Sequence, residues 1–591
     1  MKQSPDRPRK QKFQPVRKGA EKRKTRPVNK QIQFRYRKAL IAAFILIITF
    51  LAFTPSFRND LLKTWDDQEY VTNNDLVKSL SVDNIKRIFK EDKGLYANYH
   101  PLTIVSLSVN YHFSKLNSLG YHLTNLFLHL LNTLLVFIFI YYLTGKRLEI
   151  GAFVSLLFGL HPMHVESVAW ISERKDVLYT FFFLSSLIAY QFFIKKNNLI
   201  LYFLSLLLFL FSLLSKAMAV SLPLVLILLD YLAKRKWSLR IVIEKLPFFL
   251  LAIILGIVAM KIQFESGAIS NITFPLSNRI LHVFYGFVMY IVKILVPSGL
   301  SAFYPYLYPL VNSTWVLDKT PLVFLFTFVI TLLILVFTVI QVLRHGKYSG
   351  MIVFGVLFYT VTLAVVLQFM PVGRAIMADR YSYIPSIGIF LTAGYLLFQL
   401  YRNPKFKAIA IVTFLIYSGL LFYMTFERNK VWKNDETLWN DVIHQYPDDS
   451  RVTLAIYNRA TYYYEIEKIS EALKDYQTVA KYNPGDDNVL GKIGKIYGQK
   501  LNNLDNALLF LQSAYKINPA NLEVLRDLGT TYGMKGDLRR SLEYSLKGLE
   551  LKADDALLLF NAGIAYKNMG EDEKGDNYIA KAHKIDPTLK L

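Results

Sequence analysis

The stretch A-L-I-A-A-F-I-L-I-I-T-F-L-A-F-T-P-S-F-R-N-D-L-L-K-T-W-D-D-Q-E-Y, residues 39 to 70, frames the reading of the whole chain. An apolar run, Ala39 to Phe53, is followed almost at once by two adjacent carboxylates, Asp66 and Asp67. The run follows a basic tail and shows no clear small-residue cleavage site, so it reads as a retained signal anchor that crosses a membrane. Carboxylates just beyond its outer end stand near lipid, where charge is costly and marks a site. Such a carboxylate can act as general base on an acceptor hydroxyl, bind a metal, or cap a helix N-terminus. In the purely structural alternative Asp66 caps the next helix and Asp67 is solvated.

Working outward, the 591 residues are 53% hydrophobic and 15% aromatic, with a mean hydropathy of +0.28. That composition predicts a polytopic membrane protein with a soluble part. The formal net charge of +25 suggests nucleic acid until it is located. Residues 1–38 hold 15 Lys and Arg against Asp6 and Glu21, about half of the excess. This segment reads as a disordered basic tail held in the cytoplasm beside anionic lipid, not as a nucleic-acid binder. With no cysteine in the chain, disulfides, thiolate catalysis and cysteine-ligated zinc are excluded.

Apolar runs predict 11 spans, near 39–55, 121–143, 148–162, 177–194, 199–215, 217–233, 244–263, 320–343, 350–370, 383–401 and 407–425. With the tail inside, the inner loops G-K-R-L, K-K-N-N, A-K-R-K-W-S-L-R, R-H-G-K-Y and Y-R-N-P-K-F-K are all basic, as the positive-inside rule requires. Residues 280–297 are apolar enough to cross, but a crossing there would put basic loops outside. They are expected to form an interfacial or re-entrant helix on the outer side. The expected domains are the tail, a transmembrane domain over 39–426 with a first outer loop at 56–120, and an extracytoplasmic domain over 427–591.

In that last part a period appears. Gly494, Gly529 and Gly563 recur with Tyr497, Tyr532 and Tyr566, and Ala472, Ala507, Ser541 and Gly575 follow at the same spacing of 34 to 35 residues. Pro484, Pro519 and Pro587 close repeats. Small residues where helices cross, with Pro at the end of a 34-residue period, resemble the tetratricopeptide repeat (TPR). Repeats are expected at 453–486, 487–520, 521–554 and 555–588, a solenoid suited to an extended polypeptide, with Tyr457, Asn458 and Asn561 as groove candidates. The fold class is therefore all-α: a bundle of membrane helices followed by a TPR α-solenoid.

The local strings carry a further resemblance. W-D-D-Q-E-Y-V-T-N-N, N-Y-H-P-L-T-I-V-S-L-S-V-N-Y and Y-H-L-T-N-L-F-L-H-L-L-N-T form one block. H-P-M-H-V-E-S-V-A-W-I-S-E-R-K-D-V-L, L-L-S-K-A-M-A-V and D-R-Y-S-Y-I-P-S-I-G follow in order. Together with the C-terminal repeats, the chain from about 55 onward resembles the transmembrane and TPR-repeat-containing O-mannosyltransferases, of the GT-C class of glycosyltransferases. The resemblance implies sugar transfer from a polyprenyl-phosphate-linked donor to Ser or Thr hydroxyls of proteins at the outer face. Asp66 or Asp67 would take the acceptor proton in an inverting, single displacement. Lys216, Arg174, Lys175, Arg374 and Arg380 are the candidates for the donor phosphate. In the alternative, Arg174 pairs with Asp176 and Arg380 with Asp379.

His100, where eukaryotic members usually carry Arg, His161, His164, Glu166, Glu173 and Asp176 are the remaining substrate candidates. The H-x-x-H-x-E spacing of His161, His164 and Glu166 also fits a metal, so a divalent ion stays open, and the sequence points to no particular cofactor. Two other readings remain: a glycosyltransferase acting on a cell-surface glycan or glycolipid, and a non-enzymatic membrane-anchored TPR scaffold.

Overall fold

The computed structural model describes residues 28–91, 98–266, 275–307, 310–311, 314–315, 322–344, 349–371 and 373–589. The basic tail as far as residue 27 lies outside them. The first helix, Val28–Phe53, begins ahead of the apolar run, so the last part of the expected disordered tail is helical.

Long apolar segments must satisfy their backbone groups internally, and here they do so as helices. Among the described residues seven helices are long and apolar enough to cross a bilayer, or eight if the bent pair Leu148–Leu160 and Pro162–Ala169 counts as one span. Helices Leu199–Ser215, Ala217–Leu232 and Ser349–Ala364 are apolar but shorter. The chain is a multi-pass membrane protein.

Contacts at the helix ends fix the topology. Asn59 Nδ2 donates to Asn429 O at 3.1 Å, His122 Nε2 lies 3.0 Å from Asn59 O, and Thr425 Oγ1 donates to Leu160 O at 2.6 Å. The C-terminal ends of Val28–Phe53 and Lys407–Val431 therefore share one face with the start of Ser118–Leu143. At the opposite face Lys195 Nζ donates to Tyr142 O at 3.3 Å and Arg240 Nη2 to Asn197 Oδ1 at 2.7 Å. Among the described residues a helix stands at each of the eleven expected spans: the two just named, Ser118–Leu143, Leu148–Leu160, Arg174–Lys196, Leu199–Ser215, Leu222–Leu232, Leu239–Glu265, Leu322–Arg344, Ser349–Ala364 and Ser386–Arg402, of which Leu148–Leu160, Leu199–Ser215, Leu222–Leu232, Ser349–Ala364 and Ser386–Arg402 are too short to cross as single straight helices of 18 residues.

Helix Leu276–Leu295 behaves differently. Its composition would allow a crossing, but both of its ends stay at the first face. His282 and Tyr285 pack on Phe324, at the start of Leu322–Arg344. At the other end Ile294 O lies 2.9 Å from His161 Nε2. The C-terminal domain begins on the face of the first loop, where Asp435 accepts from Lys63 N and Thr64 N, both at 2.8 Å.

Helix crossings in lipid depend on close packing of small residues. A Cβ on Gly355 would lie 2.6 Å from Gly388 O, so Ser349–Ala364 and Ser386–Arg402 meet backbone to backbone. Beyond the last span, Asp435–Gln445 begins with a reciprocal capping box between Asn434 and Thr437. Four helix pairs follow: Thr453–Glu465 with Ile469–Tyr482, Asp487–Lys495 with Leu504–Ile517, Leu522–Met534 with Leu538–Leu551, and Ala556–Asn568 with Asp572–Ile585. The small residues of the period sit at the crossings: a Cβ on Gly494 would meet Leu511 at 2.6 Å, and one on Gly563 would meet Ile579 at 2.7 Å.

Gly388→Leu is expected to destabilise the membrane domain by about 1–3 kcal/mol through overpacking. Gly419→Ala, where a Cβ meets nothing within 4 Å, should not. Thermal unfolding of the detergent-solubilised protein checks both.

Candidate active site

The two aspartates have different fates. Asp67 is 1% exposed. One of its oxygens accepts from Leu62 N at 3.0 Å, and the other from Ser172 N at 2.9 Å and from the Ser172 hydroxyl. Burial pushes its carboxyl up to about 7, opposed by these hydrogen bonds. Asp67 is thus a buried tie between the first loop and the 170s, with a hydrogen bond on each oxygen. Asp66 keeps 32% of its side chain exposed, and its carboxylate lies 3.7 Å from Lys175 Nζ. Its pKa is raised by burial, with Lys175 acting in the opposite sense.

Behind Asp66 lies a buried charge network centred on Glu173, which is 1% exposed. Its carboxylate contacts Lys175 at 3.2 Å, Lys216 at 3.3 Å and Arg380 at 3.3 Å. Each cation also has a second carboxylate of its own: Asp66 for Lys175, Asp176 for Lys216 and Glu166 for Arg380. Arg380 N further donates to Glu166 at 2.9 Å. Buried charge persists only when paired in this way. Three cations face four carboxylates, and the cations keep N–H groups beyond those the carboxylates occupy.

Aromatic faces wall the cations. Lys175 sits over Tyr70 at 4.6 Å, and Arg380 over Tyr381 at 4.9 Å and Trp170 at 5.4 Å. His100 joins the site by stacking on Tyr70 at 5.2 Å. Burial, Lys175 and Lys216 push its imidazole down to about 3, so it is neutral.

Several expected site residues lie elsewhere. Arg174 is fully buried and binds Asn125, Ser106, Asn110 and the Tyr121 carbonyl, not Asp176 or a phosphate site. It starts the helix Arg174–Lys196 one residue before Lys175, and the helical turn sends it to the opposite side. Arg374 is exposed and stands outside the cluster. Arg380 pairs with Glu166 and Glu173, while Asp379 accepts from Tyr304 at 2.7 Å. His161 and His164 are fully buried. Their ring nitrogens meet Ile294 O at 2.9 Å, Phe158 O at 2.8 Å and Ser386 Oγ at 3.1 Å, so they hold helices together and face no substrate space. Among the described residues no three His, Asp or Glu side chains are placed to hold a metal ion. In the repeats Tyr457 packs on Tyr476 and Asn561 donates to Thr530 Oγ1 at 2.9 Å.

The site also includes residues that the sequence reading passed over. Trp65 stacks on Trp439 at 4.6 Å and meets Trp170 edge-on at 5.0 Å. The Asp435 carboxylate accepts from Lys63 N and Thr64 N, both at 2.8 Å. Trp65 beside the aspartates was a legible signal; Asp435 and Trp439 had none.

A tetratricopeptide-repeat family model matches residues 488–521. Protein O-mannosyl-transferase F38B6.6 of Caenorhabditis elegans is 25% identical over 449 residues, 71% of this chain and 60% of that protein. Protein O-mannosyl-transferase TMTC4 of Homo sapiens is 29% identical over 26% of this chain and 23% of its own length. The chain is similar to these O-mannosyl-transferases. It spans about 60% of the worm protein and less of the human one. A solved structure of MamA covers 27% of this chain and 85% of its own, at 17% identity and a TM-score of 0.24.

Replacing Asp67 with Ala leaves two buried N–H groups without an acceptor, each costing about 1–3 kcal/mol. Asp67→Ala should therefore lower the melting temperature by several degrees, whereas Asp66→Asn should leave it close to wild type; differential scanning fluorimetry separates them.

Proposed function

We propose that this protein transfers a mannosyl group from a polyprenyl-phosphate-linked donor to Ser or Thr hydroxyls of proteins presented on the face that carries the TPR domain. The observation that carries this reading is the division of labour in the aspartate pair. Asp67 has both oxygens occupied, while Asp66 is open to solvent beside three cations. The acceptor oxygen attacks the anomeric carbon, its proton passes to Asp66, and the bond from that carbon to the phosphate oxygen breaks. Polyprenyl phosphate leaves, and single displacement inverts the anomeric configuration.

Lys175, Lys216 and Arg380 are proposed to use their remaining N–H groups on the donor phosphate as negative charge develops on the leaving oxygen. Glu173 holds the three in one place before substrate arrives, which is electrostatic preorganisation. His100, neutral, and the aromatic walls would line the sugar. In this reading Glu166 and Asp176 fix Arg380 and Lys216 and do not touch the sugar. The basic loops at the opposite face support a cytoplasmic side there, with the site and the TPR domain facing outward. The repeats would hold the acceptor polypeptide along their concave surface.

The test is transfer of labelled mannose from a polyprenyl-phosphate donor to protein by membranes carrying wild type or Asp66→Asn. Loss of a positioned general base is expected to lower kcat by about 10²–10⁴-fold, with folding intact; unchanged transfer in Asp66→Asn rejects the base. The pH profile gives a second check. The deprotonated carboxylate is the base, so the rate falls as pH drops through the pKa of Asp66, which burial has raised. Lys175 opposes that rise, and Lys175→Gln is therefore expected to move the acid limb to higher pH.

A further inference from the structure

Asp66 sits in a loop that has little regular structure of its own, yet the loop is held at almost every residue. Asn59 and Asp60 bond the backbone carbonyls of Asn429 and Lys433, at 3.1 and 2.8 Å. The Asp435 carboxylate, 1% exposed, accepts from Lys63 N, from Thr64 N and, at 2.5 Å, from the Thr64 hydroxyl. Trp439 Nε1 donates to Thr64 Oγ1 at 2.9 Å, and its ring lies parallel to Trp65, with 6° between the planes. On the far side Asp67 ties the same loop to Ser172.

Asp435 and Trp439 belong to the helix Asp435–Gln445, which joins the last span to the repeats. That helix is fastened to the first repeat as well: Arg459 Nη1 donates to Asn440 Oδ1 at 2.7 Å, and Tyr463 OH to Glu436 Oε1 at 3.2 Å. A continuous chain of hydrogen bonds and ring contacts therefore runs from the first TPR helix to Trp65, the neighbour of Asp66.

We propose that Asp435, with Trp439, is a positioning residue for the transfer reaction. The clamp holds the loop so that Asp66 stands beside Lys175, and it couples the placement of the first repeat to the reacting end. The proposal rests on the reading of Asp66 as base. Reacting groups displaced by about 1 Å lose roughly 10²-fold in rate, so a clamp of this kind acts on kcat. An anchor that served stability alone would change the amount of folded protein and leave each folded molecule's turnover intact.

The experiment uses the full chain in lipid nanodiscs with a polyprenyl-phosphate mannose donor and compares Asp435→Asn, Thr64→Val and Trp439→Phe with wild type. Asp435→Asn retains the side-chain shape but loses one acceptor oxygen. Thr64→Val removes only the hydroxyl and guards against misfolding of the first variant. The expected result is a fall in kcat per folded molecule of about tenfold or more with donor KM unchanged, and no further fall when Asp435→Asn is added to Asp66→Asn. Unchanged kcat per folded molecule in the single variants, or the same fractional loss in both backgrounds, overturns the proposal. A wild-type rate in Asp66→Asn alone marks failure of the base reading and not of the clamp.

Discussion

A carboxylate buried at the end of a membrane bundle must find donors for both of its oxygens, and Asp67 does so with two backbone N–H groups and a hydroxyl. This requirement brings the first outer loop against the segment that begins the helix Arg174–Lys196. It places Asp66 at the edge of the network around Glu173, and it distinguishes two residues that are chemically identical in sequence. The three cations, their carboxylates and the tryptophan cluster are all arranged around that junction.

The same demand for pairing explains the network itself. Lys175, Lys216 and Arg380 come from three separate parts of the chain, and none could be kept charged so far from water alone. Sharing Glu173 brings them together, and the private carboxylates keep each in place. The opposite face has its own buried set, in which Lys245 and Arg235 meet Asp230. It staples the helices there and lies too far from Asp66 to take part in the same chemistry.

Much of this was legible in the sequence. Hydropathy located the apolar helices, and the recurrence of Gly and Tyr located the repeats. The expected interfacial placement of 280–297 rests on the basic loops that flank it in sequence, whereas the composition of Leu276–Leu295 would allow a crossing. Charge beside apolar helices is rare, which singles out Asp66, Lys175, Lys216 and Arg380 as candidates, and the structure gathers them in one network. Arg174 and Arg374 were indistinguishable from them, since only helical phase and loop exposure separate the five. His161 and His164 looked like ligands because spacing does not reveal that backbone carbonyls already occupy their nitrogens. The contacts of Asp435 with Lys63 and Thr64 join residues more than 370 positions apart, and no local pattern encodes such a pairing.

The decisive measurement is on the product. The purified protein in nanodiscs would be given a polyprenyl-phosphate mannose of known anomeric configuration and an extended polypeptide acceptor, and the product examined by mass spectrometry and NMR. A hexose on Ser or Thr, with the configuration inverted relative to the donor, is the expected result. Retention of configuration, or sugar found only on lipid or glycan, would contradict single displacement onto protein at Asp66.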